Sequence, residues 1–414
     1  MRRTILHIDF DSFFASCEQH FNPNLRHKPI GITAENGRNA VIAASREAKK
    51  KGVKSPNTTW EAKRICPEIV FVKADFERYL EITKKLLSIA TTYSPVIELF
   101  SLDEVFMDLT PVTNLYPSPM RVVEDFKKRL REEVGTTITV SAGASYNKIL
   151  AKLATNLNKP DGYAEIDSKN KKKIFSSLEL TDIMGIGGRY KRRLNMLGIF
   201  TFADLEKYPL PRLRHEFGNV ASQHLKALSM GIDDTPVISY TESVETKSVG
   251  RNYCLPKNEY DHAKILKTIY ELCEEIAIKL RRLGMQGRTI GLYLHGNEGF
   301  GQRLTLAKYT SSGKDLFDVC ERFFNKWRPE YIRQVSVYMS NLVEEQYVTP
   351  SLFESPQRRA IAALVDQVND KFGHHTIRSG YVVDTPKLHT KPNGFMADRW
   401  QRNQLRNLSG DNYQ

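Results

Sequence analysis

The chain has 414 residues, too many for one compact core, so about two to four domains are expected. Hydrophobic content of 41% and charged content of 26% fit a folded soluble protein, and no apolar run approaches the roughly 20 residues that a membrane span needs. The net charge of +13 is unusual, and lysine and arginine in such excess point to a polyanionic partner such as nucleic acid. Five cysteines (Cys17, Cys66, Cys254, Cys273, Cys320) form no CxxC pair and have no histidine at zinc spacing. That argues against structural zinc and against a disulfide framework, and reduced thiols place the protein in the cytoplasm. The N-terminal stretch has two arginines and an apolar run, but Asp9 and Asp11 interrupt it, so a signal peptide is not expected.

Taken in order, Thr4 to Ile8 reads as a buried strand and Ser12 to His20 as a helix with Phe13, Phe14 and Cys17 on one side. Ala40 to Lys54 is basic, and Thr58 to Cys66 is a short helix ended by Pro67. Tyr79 to Tyr93 is an amphipathic helix, followed by two short strands over Val96 to Thr110 about a tight centre at Leu102-Asp103-Glu104. Val122 to Glu133 reads as a helix, Ile138 to Ala144 as a strand and Asn147 to Leu157 as a helix, so this first part is α/β. Leu178 to Gly231 is nearly all helical, and Thr235 to Thr246 is a linker by composition. From Lys247 to about Glu345 the order strand, helix, strand, strand, helix, strand gives a small α+β unit with two helices on an antiparallel sheet. The last 69 residues hold one helix, Gln357 to Phe372, and a polar end expected to be disordered.

Three acids stand where acids are costly: Asp9 at the end of an apolar strand, and the pair Asp103-Glu104 between apolar arms. Neighbours on a regular strand point to opposite faces, so Asp103 and Glu104 can converge only at a hairpin turn. Three carboxylates at one strand end make an all-oxygen site suited to Mg²⁺ and substrate phosphates. Such a site supports two-metal chemistry, in which one ion activates a hydroxyl and the other steadies the leaving diphosphate. Taken singly, each acid would read as a turn residue or an ion-pair partner; only together do they point to a site.

Three blocks resemble the signatures of Y-family DNA polymerases, in particular the bacterial polymerase IV and polymerase V branches. They are His7-Ile8-Asp9-Phe10-Asp11-Ser12-Phe13-Phe14-Ala15-Ser16-Cys17-Glu18, Ser101 to Asp108, and Asn147 to Lys152 through Lys159-Pro160-Asp161-Gly162. The match runs in order over about residues 1 to 345. It implies a multidomain α/β and α+β right-hand polymerase: a ferredoxin-like palm (1–10 and 77–167), small fingers (11–76), a helix-hairpin-helix thumb (168–234), a linker (235–246), an α+β little finger (247–345) and a tail (346–414). It also implies a magnesium-dependent, low-fidelity translesion enzyme without proofreading, working as a monomer on primer-template DNA and dNTPs.

By the same resemblance Asp9, Asp103 and Glu104 are the metal ligands, assisted by the backbone carbonyl of Phe10, and two Mg²⁺ ions are expected; Asp11 and Asp108 match positions that are not ligands. Phe14 matches the steric gate, where a ring under the sugar rejects a 2′-hydroxyl by clash; Phe13 next to it contacts the nucleotide or simply fills the core. Arg46 and Lys49 fall where relatives carry tyrosine and arginine to grip the triphosphate, and Lys159 matches a third phosphate ligand. Lysine acts there as a point charge without arginine's two-pronged fork. Lys148 and Lys152 lie one helical turn apart and so are expected to face one DNA anion. Gly185 and Gly187 in a GIGG turn free backbone N–H groups for a phosphate, with Arg189 and Lys191 following. Lys247 and Arg251 open the little finger, and Arg251 is expected on a phosphate.

Leu352 and Phe353 resemble the end of a sliding-clamp peptide, though the usual glutamine ahead of them is absent. Three rivals remain at this level: a template-poor nucleotidyl transferase with the same metals, a non-catalytic DNA-binding scaffold, and a metal-dependent nuclease. The three carboxylates argue against a scaffold, and a nuclease leaves Phe14 and the phosphate lysines unexplained.

Overall fold

The computed structural model describes residues 3–34, 40–242, 245–327, 329–349, 356–373, 376–385 and 388. The first half runs β1 (Ile5–Phe10), α1 (Phe13–Phe21), β2 (Ile30–Thr33), β3 (Val41–Ala44), α2 (Arg46–Lys50), α3 (Thr59–Ile65), β4 (Val70–Lys73), α4 (Phe76–Ala90), β5 (Ile97–Leu99), β6 (Glu104–Asp108), α5 (Pro119–Glu133), β7 (Val140–Ser145), α6 (Lys148–Leu157) and β8 (Tyr163–Glu165). Two sheets result. Strands β5-β6-β1-β7-β8 form one, with β1 in the middle and antiparallel to both β6 and β7. Strands β3-β2-β4 form the other.

Strand β1 alternates as its sequence requires. Leu6, Ile8 and Phe10 join the large core with α4 and α5, which supply Tyr79, Ile82, Leu86, Phe126 and Leu130. The intervening residues Ile5, His7 and Asp9 turn to the opposite face, where α6 packs on β1 and β7. That packing is close: a Cβ on Gly143 of β7 would collide with the backbone of Ala151 and Thr155 in α6. The small sheet has a small core of Val41, Ala44, Ala48, Val53, Ala62, Cys66 and Ile69.

Five short helices follow: α7 (Lys171–Ser176), α8 (Gly188–Met196), α9 (Phe202–Lys207), α10 (Leu210–Phe217) and α11 (Asn219–Ser229). Gly185, at φ +108°, and Gly187, the N-cap of α8, connect a 3₁₀ turn (Leu180–Asp182) to α8. The segment read as a linker is anchored rather than loose. Val237 is buried beside Ile5, Phe106 and Ala151, and the Tyr240 amide donates to the Ile97 carbonyl at 2.7 Å.

The last unit contains β9 (Ser248–Glu259), α12 (His262–Arg282), β10 (Met285–Gly296), β11 (Gly299–Thr310), α13 (Gly313–Trp327) and β12 (Ile332–Glu344). Its sheet has the order β11-β10-β12-β9, all antiparallel, with both helices packed on one face. This is the expected α+β unit.

The tail departs from expectation, because much of it is ordered and docked. Helix α14 (Pro356–Phe372) lies against α12, where Arg281 makes a two-pronged pair with Asp366 (2.6 and 2.8 Å) and Arg282 pairs with Asp370. Beyond it, Arg378 reaches the buried Glu271 of α12, and Lys267 holds Asp384 at 2.6 Å. Charge pairs at low exposure need both partners, since removing one leaves the other desolvated. The sequence showed the helix but not its partner, because its anchors are polar residues matched across 85 to 117 positions. Leu352 and Phe353 lie outside the described residues.

Candidate active site

The end of β1 and the β5–β6 hairpin meet through two backbone constraints. Antiparallel pairing sets Asp9 opposite Glu104, and the Phe10 amide donates to the Asp103 carbonyl at 2.9 Å. The second bond holds the turn residue Asp103 beside the strand end, and Glu104 begins β6. The hairpin thus gathers both acids next to Asp9, and the Phe10 carbonyl stands at the same strand end.

Cations already occupy this corner. Lys159 Nζ lies 3.0 Å from Asp9 Oδ2, and Lys152 Nζ lies 2.5 Å from Glu104 Oε2. His7 Nε2 lies 3.0 Å from that same Oε2, and its Nδ1 is 2.8 Å from Thr155 Oγ1. Asp103 is turned differently: its Oδ1 accepts from the Ser101 hydroxyl at 2.5 Å. The ligand atoms of His7, Asp9 and Glu104 come within 4.8 Å of one another, a grouping that includes the histidine and leaves out Asp103.

The electrostatics split the carboxylates. Burial pushes the Asp9 carboxyl up to about 7 against the pull of Lys159, with Asp103 and Glu104 adding to the rise. Burial raises Asp103 as well, against the Ser101 hydrogen bond. Burial also pushes Glu104 up, but the His7 hydrogen bond and the Lys152 ammonium outweigh it and hold the acid at about 2. His7 itself is drawn down to about 4 by burial, so its ring is neutral at pH 7. A set of hard oxygen donors that cannot all ionise comfortably without a cation, and that has drawn two lysines in, fits a divalent metal ion.

Phe14 is half-buried and stacks on Tyr79, with ring centroids 4.6 Å apart and planes at 13°, while Phe76 meets its edge at 5.7 Å. Tyr79 is fixed by its hydroxyl, which donates to the buried Glu18 at 2.7 Å. Phe13 is 3% exposed and stacks on Phe10, so it is a core residue. Ser12, at φ 52°, makes the sharp turn between β1 and α1 from which Phe14 reaches the Tyr79 ring. Lys49 donates to the Ser12 hydroxyl at 2.9 Å and is depressed by burial and by Lys159.

Arg46 is not directed at an open anion. It donates to Thr139 Oγ1 and, at 3.4 Å, to Asp11 Oδ2. The buried Asp11 also accepts from Ser141 (2.7 Å), Thr139 (2.6 Å) and the Asp161 amide (2.8 Å), so it ties α2, β7 and the loop carrying Lys159. Lys148 is a second departure. It lies on Glu98 at 2.7 and 2.8 Å, while Lys152 lies on Glu104, so the two do not face one anion. Glu98 in turn accepts the Ile238 amide at 3.0 Å, which makes Lys148 an anchor of the linker. Arg251 likewise pairs with Glu275 at 3.0 Å, turned inward rather than left free for a phosphate. Arg189 and Lys247 are exposed, and Lys191 makes a surface pair with Glu179. Nothing within 4 Å would obstruct a Cβ on Gly187, so that turn is open on its outer side.

His7, Thr155, Tyr79 and Ser101 were not singled out from sequence. Only His7 carried a usable signal, since it sits two residues before Asp9 and so on the same strand face.

The sheet order, the hairpin of acids and the α+β unit after a helical segment define a Y-family polymerase fold. Comparison with known proteins agrees. Residues 8–156 match the impB/mucB/samB family, and residues 246–352 match the C-terminal domain of that family. The chain is 33% identical to DNA polymerase IV of Pelotomaculum thermopropionicum over 387 residues, 91% of this chain and 94% of that protein. It is 30% identical to DNA polymerase IV 2 of Bacillus subtilis, over 91% of this chain and 93% of that one. A solved Y-family DNA polymerase chimera superposes with a TM-score of 0.70 at 25% identity, covering 82% of this chain and 99% of the chimera. The chain belongs to the impB/mucB/samB family of DinB-like Y-family DNA polymerases. It is a DNA-directed DNA polymerase of the low-fidelity, translesion class, a family that works with divalent metal ions.

Holding Asp9 ionised costs stability in the metal-free protein. Its raised folded value means that the cost grows as pH rises from about 4 to 7 and is complete above 7. Asp9→Asn therefore stabilises the metal-free protein at pH 8 by on the order of 1–3 kcal/mol, several degrees in Tm, and the gain shrinks toward pH 5. Thermal melts of both proteins in chelator at the two pH values check this; an equal or lower Tm for the variant at pH 8 contradicts it.

Proposed function

We propose that the enzyme extends primers across damaged template with two Mg²⁺ ions held by Asp9, Asp103, Glu104 and the Phe10 carbonyl. Bound there, the ions would activate the primer 3′-hydroxyl and neutralise the leaving diphosphate. The observation that carries the reading is the meeting of Asp9 with Glu104 across β1 and β6, with Asp103 tied to Phe10. Lys159 and Lys152 pair with the carboxylates, and with cations bound there they would be free to serve triphosphate and template. Lys49, beside Ser12, supplies a further positive charge for the triphosphate. Arg46 braces the fingers against the palm through Thr139.

We assign the palm to 1–10 and 77–167, the fingers to 11–76, the thumb to 168–234, the linker to 235–246, the little finger to 247–345 and the tail to 346–414. Duplex DNA is gripped by the Gly185–Gly187 turn with Arg189 and Lys191, and by Lys247, all through backbone phosphates, as a lesion-tolerant enzyme requires. Small fingers with a seven-residue core enclose the nascent pair weakly, which leaves selection to base-pair energetics. The working form is a monomer in the bacterial cytoplasm, at the nucleoid. Leu352 and Phe353 dock on the sliding clamp; pull-down with the clamp should be lost in Leu352→Ala/Phe353→Ala, and equal capture refutes the docking.

Primer extension on undamaged and abasic templates tests the function. Wild type should extend both with Mg²⁺, and Asp103→Ala/Glu104→Ala should lose at least ~10³-fold in rate while still binding DNA. Extension by that variant at the wild-type rate would refute the metal assignment. Preference for one nucleotide regardless of template would instead identify a template-poor transferase.

The Phe14–Tyr79 stack fixes the ring proposed to lie under the sugar. Phe14→Leu should therefore admit ribonucleotides, with discrimination falling at least ~10-fold, about 1.4 kcal/mol. Unchanged selectivity, measured as the ratio of kcat/KM for dNTP and rNTP, would remove Phe14 from that role.

A further inference from the structure

We propose that His7, set by Thr155, is a positioning residue that anchors Glu104 while a cation is bound, an inference that rests on the polymerase reading above. His7 is fully buried, packed on the Phe106 ring at 4.4 Å and inaccessible to any substrate. Its two nitrogens have one partner each, Thr155 Oγ1 at 2.8 Å and Glu104 Oε2 at 3.0 Å.

A neutral imidazole has one N–H and one lone pair, so the two contacts cannot both be donations. If Nδ1 carried the proton, the Nε2 lone pair would face a carboxylate oxygen, and two acceptors would meet in a buried site. The arrangement that satisfies every atom has the Thr155 hydroxyl donating to Nδ1 and Nε2–H donating to Glu104. Thr155 has other acceptors within reach, the Ala151 carbonyl at 3.1 Å and the His7 carbonyl at 3.4 Å, but Nδ1 is the shortest. Thr155 therefore fixes the tautomer, and Gly143 lets α6 come close enough for it to do so.

Mobility separates the two groups that hold Glu104. Lys152 is a partly exposed cation on a flexible stem that a metal ion can displace, whereas His7 is fully buried between Thr155 and the Phe106 ring and stays in place. Both bind the same oxygen, Oε2. When an ion displaces Lys152, the hydrogen bond from His7 is what still orients Glu104. Its Nε2 lone pair is spent on the N–H, so His7 is not itself a ligand. Partners of this kind typically change metal affinity or activity by about 10–100-fold.

The test is a Mg²⁺ titration of primer extension on the full chain. His7→Leu, which fills the space without a donor, should raise the Mg²⁺ concentration for half-maximal rate by ~10-fold or more, with most of kcat regained at saturating ion. His7→Gln keeps an N–H donor of similar reach and should restore near-wild-type ion dependence. Thr155→Val should act in the same direction, Thr155→Ser should not, and Thr155→Val should add nothing in the His7→Leu background. Electron spin echo spectra of bound Mn²⁺ should lack nitrogen coupling from a histidine ligand. Primer-template affinity should be unchanged throughout, which excludes misfolding as the cause.

Equal Mg²⁺ dependence in wild type and His7→Leu overturns the proposal, as do independent effects of the two sites or a nitrogen coupling in the Mn²⁺ spectrum. Metal-dependent extension by wild type in those same assays leaves the polymerase reading standing. Failure of wild type to extend at all would bring down both.

Discussion

Everything in the site depends on forcing like charges together at the end of two interior strands, β1 and β6. The register of β1 against β6 puts Asp9 directly across from Glu104, and one backbone bond, Phe10 amide to Asp103 carbonyl, keeps the third acid at the same corner. Burial and mutual repulsion make this arrangement unfavourable without positive charge, as the raised Asp9 value of about 7 expresses. The fold compensates by sending lysines from two directions, Lys152 from α6 and Lys159 from the loop after it. A divalent cation is the natural successor to both.

The scaffolding explains how so costly a cluster is held rigid. Helix α6 can approach the sheet only because Gly143 has no side chain, and that approach delivers Lys152 and Thr155 to the acidic corner. On the other side Asp11, though two residues from Asp9, faces away from the cluster and collects donors from α2, β7 and the Lys159 loop. Two aspartates in one short motif thus stand in opposite settings, Asp9 in the acidic corner proposed to hold the metal and Asp11 in a structural network. The same motif turns sharply at Ser12 to place Phe14 on the Tyr79 ring.

Much of this was legible in the residues. The apolar, β-prone run from Thr4 to Ile8, the apolar arms around Asp103-Glu104 and the change of pattern after the linker are local signals, and the elements they imply are present. What was not legible depended on distant pairing. Lys148 and Lys152 share a helix face by spacing, yet one meets Glu98 and the other Glu104, because the sheet beneath brings different acids to each. Arg251 and Arg46 read as free cations and are paired, with Glu275 and with Asp11 and Thr139. A charge on a sequence carries no sign of whether the fold supplies its counter-charge. The tail shows the same limit, since Arg281 and Asp366 are 85 residues apart and unremarkable until α12 and α14 are packed.

The most direct test of the account is a calorimetric titration of Mn²⁺ into the complex with primer-template and an unreactive dNTP analogue, in two buffers of different ionisation enthalpy at pH 6.5. An acidic corner in which burial raises Asp9 should bind the ion with net release of protons, and both the binding and the proton release should fall sharply in Asp9→Asn. Equal affinity and equal proton release in the two proteins would mean that the cation does not bind at Asp9, and the central claim would fail.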